Sequence, residues 1–125
     1  MQRTMLKSKI HRATVTGTDI HYQGSITLDE GLMEKADILP GEQVHILNLN
    51  NGERIITYTI VAPRGSGIAL LNGPAARMAV PGDEVIILTY CSVDEAEART
   101  HKPTIVLVDE KNRPTTKKKK ARFGG

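Results

Sequence analysis

Residues 43–58 read Gln-Val-His-Ile-Leu-Asn-Leu-Asn-Asn-Gly-Glu-Arg-Ile-Ile-Thr-Tyr. Two runs rich in β-formers flank Asn50-Asn51-Gly52, a strong tight-turn signal. The stretch predicts a hairpin, with one strand from Gln43 to Leu49 and the returning strand from Arg54 to Val61. Outward from it, Pro40-Gly41 and Pro63 to Gly67 read as a turn and a loop. Ile68 to Leu71 is a short strand running into Asn72-Gly73-Pro74, where Pro74 suits a first helical position and Ala75 to Met78 a short helix. After the turn Pro81-Gly82-Asp83, Glu84 to Tyr90 carries Val85, Ile86, Ile87 and Leu88 in a row, a strand buried on both faces. Ser92, three residues before Glu95, predicts a capped helix over 92–100, and Thr104 to Val108 is a last strand. Toward the N-terminus, Met1 to Thr16 reads as a strand with a polar face. Gly17-Thr18-Asp19 reads as a turn, Ile20 to Tyr22 as a short extended piece, and Leu28 to Ala36 as a helix with Leu28, Leu32 and Met33 on one face. Short strands with short helices between them make the chain mainly β and point to a small closed β-barrel.

The chain has 125 residues and a mass of 13.7 kDa, which suits one domain. Its net charge of +3 hides two unlike parts. Residues 111–125 hold seven Lys/Arg and no acid, whereas residues 1–110 hold ten Lys/Arg against fourteen Asp/Glu. The expected organisation is a mildly acidic barrel over 1–110 and a basic, disordered tail over 111–125. A lysine run such as Lys117 to Lys120, without interleaved aromatics, gives weak and salt-sensitive attraction at most, so nucleic acid is not an expected partner. With no Trp and one Phe, in the tail, the core must be built from Ile, Leu, Val, Met and Ala. Tyr22, Tyr58 and Tyr90 therefore call for a reason other than packing. The single cysteine, Cys91, excludes a disulfide framework and reads as packing. No run approaches the ~18 apolar residues of a membrane span. The first residues lack an apolar signal core. The expected setting is a reducing cytoplasm, with no membrane partner.

Common catalytic signatures are missing. Arg64-Gly65-Ser66-Gly67 is no phosphate loop, and the four histidines show no metal spacing. Three features remain. In Tyr22-Gln23-Gly24-Ser25 the plain reading is a turn. A sharper one is that a hydroxyl can add to the carbonyl of a preceding glycine and form an ester, given strain and an oxyanion donor. In Arg54 to Tyr58, strand alternation sets Arg54 and Tyr58 on one face and Ile55 and Thr57 on the other. Lys7, Lys9 and His11 alternate onto one face of the first strand, which either lies on the surface or lines an anion site.

Met5-Leu6-Lys7-Ser8-Lys9-Ile10-His11-Arg12, Tyr22-Gln23-Gly24-Ser25, Asn51-Gly52-Glu53-Arg54 with Thr57-Tyr58, Arg64-Gly65-Ser66 and Asn72-Gly73-Pro74-Ala75-Ala76 together resemble the bacterial aspartate 1-decarboxylases, from about residue 1 to about residue 105. The resemblance implies a six-stranded double-psi β-barrel with short helices, assembled as a homotetramer with active sites between subunits. It implies a zymogen that cuts itself between Gly24 and Ser25 into chains 1–24 and 25–125, in some relatives with a maturation factor. Ser25 would become a pyruvoyl group that forms a Schiff base with L-aspartate and acts as an electron sink, with no metal and no pyridoxal phosphate. The products would be CO2 and β-alanine, for pantothenate and coenzyme A. By the same resemblance Tyr58 is the proton donor, and Thr57 serves both self-processing, with Gly24 and Ser25, and substrate binding. Lys9 and Arg54 meet the substrate carboxylates, with Asn72, Gly73, Ala75 and Ala76 completing the binding site and His11 and Tyr22 supporting it. A tight clamp on the leaving carboxylate would stabilise the ground state, so Arg54 is expected to hold the retained side-chain carboxylate. Thr57, on the strand face opposite Arg54, would share its pocket only if that strand were irregular. The rival reading is a non-enzymatic β-barrel binding module. It predicts no cleavage and leaves Lys9, Arg54 and Tyr58 without a joint purpose.

Overall fold

The computed structural model describes residues 1–117 and 119. Strand β1 (Gln2–Thr14) carries bulges between Leu6 and Ser8 and between Ile10 and Ala13, and Val15-Thr16 join it to β2 (Gly17–Asp19). Strand β3 (Ser25–Asp29) ends where the Asp29 carboxylate accepts from the Gly31 and Leu32 N–H groups and so caps helix α1 (Glu30–Lys35). The predicted hairpin is β4 (Gln43–Asn48) and β5 (Arg54–Ala62). Its loop closes through Gly52 N–H to Asn48 O at 2.8 Å, with Gly52 in the left-handed region at φ 76°. Strand β6 (Ala69–Asn72) runs into a 3-10 turn over Gly73–Arg77 that has Pro74 at its start. Then follow β7 (Glu84–Asp94), α2 (Glu95–Ala98), β8 (Thr104–Val108) and β9 (Pro114–Thr115).

The sheet order is β2-β6-β3-β5-β4-β7-β1-β8-β9. Its first strand and its seventh, β2 and β1, are one continuous stretch of chain, so the sheet must curl until these positions meet. Val15 N–H to Asp83 O and Thr16 N–H to Ala69 O, both 2.8 Å, carry pairing around the join. The result is a barrel of six strand positions, β1/β2, β6, β3, β5, β4 and β7, with β8 and β9 added outside on β1. Closure pairs most of the edges that an open sheet would expose, leaving β9 and the start of β5 uncovered on one side among the described residues. The interior is aliphatic, with Ile10, Ile26, Leu28, Val44, Ile46, Leu71, Val85 and Ile87 fully shielded. Tyr22, Tyr58 and Tyr90 remain 51%, 37% and 38% exposed, so none is a core residue.

Four local expectations give way to pairing between distant segments. Gly17 to Asp19 is a strand because Leu70 to Asn72 offers it a parallel partner, and the turn moves to Ile20 and His21. Leu28 belongs to a strand rather than to a helix. The alternation of Ile26 and Leu28 between β5 and β6 outweighs the helical spacing of Leu28 and Leu32. Ser92 does not cap a helix, because β7 stays paired with β1 as far as Asp94, and the cap passes to Asp94. The segment expected to be tail contributes β9 and the buried Asn112. The Asn112 carboxamide accepts from Thr14 N–H at 2.7 Å and donates to Thr14 O and Gly67 O at 2.8 Å each. Lys119 Nζ donates to Arg12 O at 2.7 Å. Lys118, Lys120, Arg122 and Phe123 lie outside the described residues.

Candidate active site

Ser25 opens β3, fully buried, directly opposite Asn72 at the end of β6. Its hydroxyl donates to Gln23 O at 3.0 Å and accepts from Asn72 Nδ2 at 2.9 Å. The same Nδ2 donates to Thr27 Oγ1 at 2.9 Å. Thr27 lies two residues along β3 and therefore on the same strand face as Ser25. Gly73 follows with φ 62°, and a Cβ there would fall 2.7 Å from Gly24 N, 2.8 Å from Gly24 Cα and 2.9 Å from Tyr22 O. Only a residue without a side chain lets the 22–24 segment lie this close. A Cβ on Gly24 would in turn fall 3.3 Å from Pro74 Cδ, so the proline ring packs against Gly24. The Gly24–Ser25 peptide is thus gripped by Asn72, Gly73 and Pro74.

Beside it opens a cleft of about 470 Å³ whose walls include Gly24, Arg54, Thr57, Tyr58, Pro74 and Ala75. Strand β5 is regular here: Arg54, Ile56 and Tyr58 point outward, Ile55 is buried and Thr57 half-buried. Arg54 and Thr57 share the cleft for another reason. Strand β4 covers one edge of β5 over Arg54–Tyr58, but β3 joins the other edge only from Ile26 opposite Thr59. Extending that register backward would set Ser25 beside Tyr58 and Gly24 beside Thr57. The open edge of β5 lets residues from both of its faces reach one cleft.

The Arg54 guanidinium donates from Nη1 to His45 Nδ1 at 2.9 Å, and the His45 ring meets Tyr90 edge-on with centroids 5.0 Å apart. The hairpin register makes His45 a diagonal neighbour of Arg54, since Leu47 faces Arg54 and His45 faces Ile56. Nothing in the residues around His45 marks it as a partner of Arg54, although the Asn50-Asn51-Gly52 turn carries the register that places it. Thr27 likewise carries no local signal, since its bond to Asn72 forms only in the fold.

Lys9 and His11 are not brought to the cleft. Both sit on β1, three strand positions from β5 whichever way the barrel is followed. Lys7 leaves the cationic row, because the bulge after Leu6 breaks the alternation and its Nζ engages Asp37 O and Glu42 Oε2 at 2.6 Å each. Tyr22 is exposed and contributes its carbonyl to the packing on Gly73. Ala76 is half-buried and outside the cleft wall.

The far end of β3 is anchored by Asp29. Burial pushes its carboxyl pKa up, but N–H donors from Gly67, Gly65, Gly31 and Leu32 outweigh that and hold it below the usual value. The bonds measure 2.9, 3.1, 2.8 and 3.4 Å, and they tie the 63–67 loop and α1 to the strand that starts at Ser25. Glu84 behaves similarly: burial raises its pKa, and Arg12 and Lys119 more than offset the effect. Among the described residues no cluster of three or more His, Cys, Asp or Glu could hold a metal ion, and no helix is long and apolar enough to cross a membrane.

A sequence profile described as Aspartate decarboxylase matches residues 1–115. Three relatives, each named Aspartate 1-decarboxylase, align over most of both chains. The protein from Pelotomaculum thermopropionicum is 60% identical over 110 residues, 88% of this chain and 83% of its own. That from Heliobacterium modesticaldum is 56% identical over 113 residues, 90% and 86% of the two chains. That from Syntrophobacter fumaroxidans is 56% identical over 121 residues, 97% and 98%.

Proposed function

This chain belongs to the aspartate decarboxylase family, and from that premise we infer that it removes the α-carboxylate of L-aspartate as CO2 and yields β-alanine for pantothenate synthesis. It is a carboxy-lyase rather than a binding module. The prosthetic group proposed is a pyruvoyl derived from Ser25, which supplies an electrophilic carbonyl for the substrate amine and a sink for the electron pair left by CO2. The observation that carries this reading is the buried Ser25 hydroxyl, held between Gln23 O and Asn72 Nδ2 and next to a glycine peptide gripped by Gly73 and Pro74.

Self-processing needs only atoms of the chain and water. Ser25 Oγ adds to the Gly24 carbonyl carbon, the bond to Ser25 N breaks, and that nitrogen gains the hydroxyl proton. Loss of the Ser25 Cα proton with cleavage of the Cβ–Oγ bond frees the Gly24 carboxylate and leaves dehydroalanine. Water then enters and ammonia leaves, giving the ketone. Thr57, whose register sets it beside Gly24, is proposed to hydrogen-bond the Gly24 carbonyl as charge develops there.

In turnover the Arg54 fork, steadied by His45, is proposed to hold the side-chain carboxylate, which is retained in the product. Clamping the departing carboxylate instead would slow its loss. Tyr58 is the proposed proton donor to the carbon that loses CO2. Asn72, Gly73, Ala75 and Ala76 would position the substrate from the 3-10 turn, with Tyr22 at the rim. Lys9 and His11 lie across the barrel from the cleft, so a complete site takes them from a neighbouring copy. This supports sites shared between subunits; the homotetramer and the cytoplasmic setting are proposed from family membership alone.

Intact mass under denaturing conditions tests the reading. The expected result is two chains split between residues 24 and 25, the larger lighter by one ammonia than a serine-started chain, with CO2 release from L-aspartate that disappears in Ser25→Ala. A chain that stays whole and releases no CO2 would return the binding-module reading.

A further inference from the structure

We propose that Thr27 is a positioning residue for self-processing, acting through the Asn72 carboxamide. The proposal rests on the reading of Ser25 as the self-cleaving residue. Its basis is the accounting of hydrogen-bonding groups around Ser25. The Ser25 hydroxyl has one proton and two lone pairs. The proton goes to Gln23 O, and Asn72 Nδ2 takes one lone pair, which leaves the other free to add to the Gly24 carbonyl. Because the Ser25 proton is already committed, only the nitrogen side of the Asn72 amide can face Oγ. That nitrogen has two hydrogens, and the second goes to Thr27 Oγ1 at 2.9 Å. Asn72 is buried, so no solvent stands ready to take a hydrogen that Thr27 released. Thr27 thus fixes the rotation of the amide and keeps one N–H aimed at Oγ.

The benefit falls in the elimination. When the Cβ–Oγ bond breaks, Oγ departs as part of the Gly24 carboxylate and takes on negative charge. An N–H already aimed at it becomes a charge-assisted donor without reorganisation. Before that step the same bond meets only a neutral oxygen. Thr27 should therefore speed ester breakdown and matter little for ester formation.

The test uses the full chain, purified fresh, with cleavage followed by denaturing mass spectrometry with and without hydroxylamine. Hydroxylamine intercepts the ester, giving residues 1–24 as a hydroxamate and a serine-started larger chain. Thr27→Val, which keeps the shape and removes the hydroxyl, should slow spontaneous cleavage about tenfold or more. It should leave hydroxylamine cleavage near the wild-type rate. Thr27→Ser should restore spontaneous cleavage, and adding Thr27→Val to Asn72→Ala should cost nothing further. If valine prevents folding, Thr27→Ala compared with Thr27→Ser carries the same comparison. Spontaneous cleavage of Thr27→Val at the wild-type rate overturns the assignment. So does an equal slowing of both reactions, which would mark a role in folding or in ester formation. A wild-type chain that never cleaves overturns the self-processing reading and this assignment together, whereas wild-type cleavage with an unaffected variant overturns the assignment alone.

Discussion

Gly73→Ala is the substitution whose cost the structure specifies most closely. The added Cβ would lie 2.7 to 2.9 Å from Gly24 N, Gly24 Cα and Tyr22 O. All three are backbone atoms, so no side chain can swing aside. Alanine at φ 62° also occupies the left-handed region, which costs about 1–2 kcal/mol. Overpacking of this kind adds about 1–3 kcal/mol. Together these predict a loss of about 2–5 kcal/mol, relieved in part by pushing the 22–24 segment away from β6. That movement carries the Gly24 carbonyl off the line of approach of Ser25 Oγ, and misplacement by about an ångström is worth roughly a hundredfold in rate. Two measurements separate the effects. Urea unfolding in a Ser25→Ala background, at equal protein concentration, reads stability on an uncut chain. Denaturing mass spectrometry of Gly73→Ala alone reads the cleavage rate. A stability change under about 0.5 kcal/mol together with wild-type cleavage would refute the contact as described.

Arg54→Lys keeps the charge but loses the planar fork and its bond to His45, so KM for L-aspartate should rise about tenfold with kcat changed less than about twofold. Steady-state kinetics decide it, and a fall in kcat at unchanged KM would remove Arg54 from substrate binding. Asp29→Asn sets an amide N–H against backbone donors and should cost about 2–3 kcal/mol in urea unfolding. Asp29 and Glu84 both titrate below their usual values in the folded state. Their stabilisation is therefore complete above the unfolded-state range near pH ~4 and is lost as pH falls through the folded values. The urea midpoint of the Ser25→Ala protein should fall on acidification below about pH 4, and less steeply with Asp29→Asn. Asn112→Ala leaves Thr14 N–H, Thr14 O and Gly67 O without their partner and should cost about 2–3 kcal/mol while Ser25 still cleaves. Unchanged thermal unfolding would show that the segment beyond residue 110 does not brace the barrel.

The hairpin from Gln43 to Ala62, the strand from Glu84 and the aliphatic core were legible because their signals are local. A turn tripeptide sets a register, and an unbroken apolar run has nowhere to go but inside. Gly24-Ser25 could be singled out locally, because a hydroxyl beside a glycine carbonyl is a matter of chain neighbours, whereas Arg54 and Tyr58 were marked by their shared strand face and took their expected roles from the family resemblance alone. Other features depended on partners far along it. Gly17 to Asp19 became a strand only because β6 lay beside it, and β7 ran through Ser92 because β1 went on pairing with it. Asn112 reads as an ordinary loop residue until Thr14 and Gly67 are brought within hydrogen-bond reach. Thr27 gains a role from the one Asn72 hydrogen that Ser25 leaves over. Most telling, Lys9 and Arg54, paired by the family resemblance as the cations for the substrate carboxylates, are set on opposite walls by barrel closure. Local propensity determines which segments extend or turn. Which side chains meet is decided by strand order, because a closed barrel allows each strand two neighbours and so fixes what every residue can reach.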